Sequence, residues 1–463
     1  MKWVQWVQWV LPKASRGALL VLGTAVALQV GAADSLNWHK DRDAVDADIS
    51  SWSLLRTLEQ VAEATGWQIY LQPGLQRKVS TKFKDRPRDK ALDLLLGNLG
   101  RVLLPGTNGG PHRLLVFRTS ERDATRLIRA TQRGAKPIPN ELLVRMKKGK
   151  KVDELAKKLG AKVVGESEGL NSARLRFEDE DATSAAREAL LNDEDVGSVD
   201  PNFPITAQPS LEGSGGPAMP DLKLKPIKEG EGIVIGLIDT AIQKQGNNYD
   251  NFLLPSISVA GATTPSAELP THGTSMYETI LRGIAMFGED GASKVRILPI
   301  DVYGDKGTTT TYEVANGIYQ ALQNGAQVIN LSLGSEGDTP YLHDIIQKGT
   351  EAGRVFVGSA GNTPVTTPTY PAAYPEVIGV TAGDSRDRIA SYANRGDFVD
   401  AMAPGNSIVP FNGQNWRISG TSPAAAYFSG AVAVTIDRTG QSAAQSALAV
   451  QRSLPVPQVQ RGP

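Results

Sequence analysis

From Gly230 to about Arg438 the chain repeats one alternation: apolar runs reading IVIGLI, VRILPIDV, VINLSL, RVFVGSA and VIGVTA, with helical stretches such as TYEVANGIYQALQNG between some of them. A strand without polar interruption is buried on both faces, and helices between such strands cover those faces. The pattern predicts the α/β fold class, a doubly wound parallel-sheet domain, over 230–440.

Two small α+β domains are expected ahead of it. Over 34–120 the order is helix (LLRTLEQVAEATG), strand (WQIYL), strand (VSTKFK), helix (RDKALDLLLGNL) and a closing strand from Leu114 to Phe117. A charged linker, 121–139, ends in Lys-Pro-Ile-Pro. Over 140–207 the runs ELLVRMK, VDELAKKLG, AKVVGE, SARLRFE, ATSAAREALLN and VGSVDPNFPI follow the β-α-β-β-α-β order of a ferredoxin-like unit. The stretch 208–229, with QPSLEGSGGPAMP, is too rich in glycine, proline and serine to build a core and reads as a cleavable connection. Residues 441–463, rich in Gln, Ser, Ala and Pro, read as a loose tail after a possible short helix.

Residues 1–33 read as an export signal. Lys2, Lys13 and Arg16 precede the uncharged run from Gly17 to Ala33, and Val30/Ala32 or Gly31/Ala33 suit a signal peptidase. The run is short for a hydrocarbon core of about 30 Å, which favours cleavage over an anchor helix. The expected destination is the periplasm or the medium; the sequence leaves both open.

Composition removes several chemistries. There is no cysteine, so thiol nucleophiles, disulfides and thiolate metal sites are excluded. Lys plus Arg equals Asp plus Glu at 49 each, so no global field exists to hold nucleic acid. The four histidines, His39, His112, His272 and His343, form no HExxH pair, which argues against zinc hydrolysis.

Only His272 has a distinctive setting, Thr271-His272-Gly273-Thr274, at the opening of a helical stretch. Upstream, Asp239 ends the strand IVIGLI, where an open α/β sheet faces its ligand crevice. Downstream, Gly420-Thr421-Ser422 opens the small-residue helix SPAAAYFSGAVAV. Asp, His, Ser is one of the chain orders in which a nucleophilic triad occurs. The buried run VFVGSAGN leads into Gly361-Asn362 as a fourth element.

With these blocks the sequence resembles the subtilase family of serine peptidases. Ile238-Asp239-Thr240, His272-Gly273-Thr274, Ser332-Leu333-Gly334, Gly361-Asn362 and Gly420-Thr421-Ser422 stand where that family has its own, and TYPAAYPEVIGVTA and ASYANRGDFVDAMAPG are similar to it. The resemblance implies Ser422 as nucleophile, His272 as base, Asp239 as the group orienting the imidazole, and Asn362 with the Ser422 amide as oxyanion donors. It further implies that Ser332, Leu333, Gly334 and Gly361 bind an extended polypeptide substrate. Asp200-Pro201-Asn202-Phe203 is similar to the exit of a subtilase propeptide, which chaperones and inhibits its own protease. The unit at 34–120 resembles the short N-terminal domain of secretins and TonB-dependent receptors, implying an envelope protein partner.

Together these imply an exported serine endopeptidase made as a zymogen, acting through an acyl-enzyme on Ser422 and cut between about Pro204 and Pro220. The chemistry requires no cofactor. Many relatives carry calcium, but no D-x-[DN]-x-[DN]-G loop is present to support a site. Four positions depart from the family pattern: Ala241 for glycine, Tyr277 and Glu278 for small residues, and Ala426 for proline. They motivate the competing reading, a noncatalytic periplasmic peptide-binding or interaction protein on the same fold. Ser275 within Gly273-Thr274-Ser275, and Gly165-Glu166-Ser167-Glu168-Gly169, are read as decoys.

Overall fold

The computed structural model describes residues 35–457, apart from 40, 73–74, 76, 106–110, 125, 129–134, 207–209, 213–221, 228–231 and 289–290. The proposed signal, 1–33, lies outside the described residues. Among them no helix is long and apolar enough to cross a membrane.

The apolar runs form one seven-stranded parallel sheet. Its order is Ile257–Ser258, Arg296–Asp301, Val234–Asp239, Val328–Leu331, Val355–Ser359, Val377–Gly383, Ala401–Pro404. Helices cover both faces. On one side lie Thr311–Gln323 and Pro340–Glu351, packed through Val314, Ile318, Leu342 and Ile346. On the other lie His272–Phe287 and Thr421–Thr439, which carry Ile280, Ile284, Phe428 and Val432 into a second core.

These last two helices touch backbone to backbone. A Cβ on Gly283 would meet Tyr427 O at 2.3 Å, and one on Gly430 would meet Ile280 O at 2.3 Å. Because the first begins with His272 and the second carries Ser422 in its first turn, this contact sets the two side chains on one rim of the sheet.

The unit ahead of it is ferredoxin-like as expected, with strands ordered Val196–Pro201, Glu141–Met146, Ser172–Arg176, Lys162–Ser167 and helices Asp153–Lys158 and Glu180–Leu191. The first module contains the expected helices, Leu54–Thr65 and Arg88–Leu96, and three strands the sequence reading did not assign, Ser35–His39, Ala44–Ser53 and Gly100–Leu104. Its helix meets the next unit through Arg187 and Glu59 at 2.5 Å.

Three stretches differ from expectation. Arg126–Ile128, inside the predicted linker, pairs with Gln68–Leu71 and forms the edge of the four-stranded one of the first module's two sheets. Within the predicted connection, Ser210–Glu212 pairs with Gln414–Ser419, and Lys225–Pro226 with Ala292–Ser293. The short helix allowed for in the tail is Ala443–Ser453, and it is docked, not loose: Ser442 and Gln445 form a capping box, and Ala443, Ala447 and Val450 bury one helical face in the large core.

Candidate active site

Asp239 ends an inner strand of the sheet, and its carboxylate is 1% exposed. It accepts the Nδ1–H of His272 at 2.7 and 2.9 Å and the Thr240 amide at 2.7 Å. His272 is the first residue of its helix, capped by the Thr271 hydroxyl, which accepts from the Thr274 amide at 3.0 Å. The next residue must be glycine, since a Cβ at Gly273 would stand 2.1 Å from Thr240 O. The helix start is thereby pressed onto the strand exit.

His272 Nε2 is buried and makes no hydrogen bond. Ser422, also buried, donates from Oγ to Ser332 O at 3.2 Å, while Ser332 Oγ donates to Ser422 O at 3.1 Å. The structure thus joins Asp239 to His272 and sets Ser422 against Ser332, without a hydrogen bond between His272 and Ser422. The Ser422 amide is one of the N–H groups at a helix start that no helical carbonyl serves, and the positive end of the helix dipole lies there.

Asn362 Oδ1 accepts from the Thr421 amide at 2.9 Å and the Thr421 hydroxyl at 3.0 Å. With its oxygen held there, the side chain presents protons only from Nδ2. Gly361 before it adopts φ 108°, a region that disfavours any Cβ, and a Cβ there would meet Asn394 Nδ2 at 2.5 Å.

Ser332, Leu333 and Gly334 form the near wall of a cavity of about 170 Å³, lined also by Gly361, Asn362, Thr421, Ser422 and Thr206. Thr206 belongs to a strand of the chain itself, Pro204–Thr206. That strand pairs antiparallel with Thr308–Thr310, and Thr206 also bridges to Gly334. A second segment, Ser210–Glu212, pairs with residues 417–419, immediately ahead of Ser422. The edge Thr308–Thr310 was not identified from sequence; its signal is the β-branched run TTTT before a helix.

Ala241 is absent from the residues with positive φ, so it meets no backbone objection to a Cβ. Tyr277 is buried with its hydroxyl donating to Tyr249 O at 2.6 Å, and Glu278 accepts from Gln245 Nε2 at 2.8 Å. Burial pushes the Glu278 carboxyl up to about 7, against the pull of Arg282 and with help from Asp250. Ala426 is buried within the Ser422 helix. Ser275 Oγ donates to Thr271 O inside its own helix, and Ser167 lies in the small domain's sheet, so neither decoy reaches the site.

Residues 230–452 match the pattern described as the Subtilase family, and residues 124–202 that of the Fervidolysin N-terminal prodomain. The chain is similar to the thermophilic serine proteinase of Bacillus sp. (strain AK1), 32% identical over 216 residues that cover 45% of this chain and 53% of that protein. Similarity to thermitase of Thermoactinomyces vulgaris is 32% over 236 residues, 49% of this chain and 82% of thermitase. Subtilisin DY of Bacillus licheniformis is 31% identical over 217 residues, 45% and 78% of the two chains. In fold the chain is similar to fervidolysin from Fervidobacterium pennivorans, a keratinolytic enzyme related to subtilisin, with a TM-score of 0.52 and 22% identity over 66% of this chain and 56% of that one. The chain spans about half the length of the first of these relatives and of fervidolysin.

Proposed function

The chain belongs to the subtilase family, and from that premise we propose that it is an exported serine endopeptidase, made as a zymogen and inhibited by its own prodomain. The observation that carries this reading is the polypeptide strand Pro204–Thr206, held between Thr308–Thr310 and Gly334 in the groove that ends at Ser422. A substrate would lie there in the same extended form, its main chain recognised by added-strand hydrogen bonds.

In the proposed reaction Ser422 Oγ turns from Ser332 O to His272 Nε2, which removes its proton as the oxygen attacks the carbonyl carbon. Asp239 keeps Nδ1 protonated, so that Nε2 is the basic nitrogen, and stabilises the imidazolium. The Ser422 amide and Asn362 Nδ2 receive the oxyanion. His272 then protonates the departing amine, and water releases the acyl group from Ser422 by the reverse sequence of proton transfers. Nucleophile, base and oxyanion donors all come from the chain, and no cofactor enters.

For maturation, the two segments paired on either side of the site support a cut between Thr206 and Ser210, within the wider window expected from sequence. Export rests on the basic and apolar pattern of 1–33. The unit at 34–120, resembling a short N-terminal domain of secretins and TonB-dependent receptors, would dock an envelope protein.

A fluorophosphonate probe tests the proposal. Covalent labelling at Ser422 in processed protein, lost in His272→Ala, is expected. Processed, folded protein that takes no label would instead support a peptide-binding protein on this fold.

A further inference from the structure

Beyond Asp239 the chain leaves the sheet through Thr240, Ala241, Ile242 and Gln243 and passes the turn that carries His272. The Gln243 side chain uses its entire hydrogen-bonding capacity there. Its Oε1 accepts from the Thr271 amide at 2.7 Å and from the Thr274 hydroxyl at 2.9 Å. Its Nε2 donates to Ser266 O at 2.6 Å and Leu269 O at 3.0 Å. The Gln243 amide adds a bond to Thr274 Oγ1 at 2.9 Å.

One carboxamide therefore ties three segments: the exit of the Asp239 strand, the loop approaching the helix, and the helix turn bearing the imidazole. Two acceptor sites face donors and two donor protons face carbonyls, so glutamine suits the position and its acid does not. A glutamate would set its second oxygen against Ser266 O and Leu269 O. The helix has its own cap in Thr271, so Gln243 is not needed for the helix to begin. It fixes where the helix begins relative to Asp239.

We propose that Gln243 is a positioning residue for His272, acting through Thr271 and Thr274 without touching the imidazole. This rests on the catalytic reading above. Displacing a catalytic group by about an ångström costs on the order of 100-fold in turnover, so the tie between these segments has a measurable consequence.

The test uses the full-length chain with Gln243→Met and Gln243→Glu. In processed protein hydrolysing a chromogenic peptide amide, Gln243→Met is expected to lower kcat by about 10- to 100-fold with KM within about threefold. Gln243→Glu should lower kcat and also move the acidic limb of the pH profile upward, because a nearby carboxylate favours the imidazolium. The second readout needs no turnover. In the Ser422→Ala background the low-field proton resonance of the His272 Nδ1–H to Asp239 should broaden or vanish on adding Gln243→Met. An unaltered resonance, or an unchanged kcat in both variants, overturns the role of Gln243. A parent that carries the resonance yet hydrolyses nothing overturns the catalytic reading instead, and the resonance still decides Gln243.

Discussion

Arg174, on an inner strand of the ferredoxin-like domain, donates to Glu313 of the large domain at 2.6 Å, with both side chains almost shut off from solvent. The same guanidinium holds Glu141 at 2.7 and 2.9 Å. Burial by itself would push the Glu141 carboxyl up, but hydrogen bonds from Arg174, Asn202 and Arg176 hold it below the usual carboxylate range. Replacing Arg174 by Met leaves the buried Glu313 carboxylate without its countercharge and Glu141 with Arg176 alone, a loss of about 3–5 kcal/mol. Inhibition by the cleaved prodomain should weaken by about 100-fold or more. Peptide hydrolysis by cleaved chains, before and after added salt, measures it; undiminished latency in Arg174→Met would show that the joint lies elsewhere.

Glu278 gives the large domain a pH dependence of its own. Its folded value, about 7, stands above the ordinary 4.5 chiefly because burial disfavours its charge. A carboxyl raised in this direction contributes stability that is fully present below about 4.5 and is lost as the pH rises through about 7. The shift corresponds to about 3 kcal/mol at most. Glu278→Gln should flatten the fall in melting temperature between pH 5 and 9. Parallel curves for the two proteins would remove Glu278 from the explanation.

Asn362 is expected to act on turnover and not on substrate affinity. With Oδ1 fixed by Thr421, only Nδ2 can donate to the proposed oxyanion, a contact that would matter in the transition state. Asn362→Ala should lower kcat by about 10²- to 10³-fold and leave KM within a few-fold. Equal losses in both parameters would point to a structural role beneath Thr421.

Maturation should leave new termini between Thr206 and Ser210, the interval spanned by the two paired segments. Mass spectrometry of protein made in a protease-deficient host reads the cut directly. Ser422→Ala should stay intact, and processing of that variant at the wild-type rate would assign the cut to another enzyme.

Much of this was legible in the residues. The uninterrupted apolar runs specify the parallel sheet because burial on both faces leaves its mark on every position. Asp239, His272, Ser422 and Asn362 stand in short blocks whose types are dictated by what surrounds them, as Gly273 shows by its contact with Thr240 O. What escaped is held by partners distant in the chain. Arg126–Ile128 and Ser210–Glu212 are three residues each, too short for a period, and exist because a distant strand offers an edge. The helix Ala443–Ser453 hides its apolar stripe in alanine. Tyr277 and Glu278, which depart from the family pattern, are both turned to the loop from Gln245 to Tyr249. Gln243 carries no motif, since its importance lies in four partners that only the fold assembles.

The strand at Pro204–Thr206 and the segment at Ser210–Glu212 are each moored to the large domain by their own ladder. Severing the chain between them frees neither end. Latency would therefore outlast scission, and the clock for becoming active would be set by how slowly the small domain departs, a first-order event insensitive to enzyme concentration.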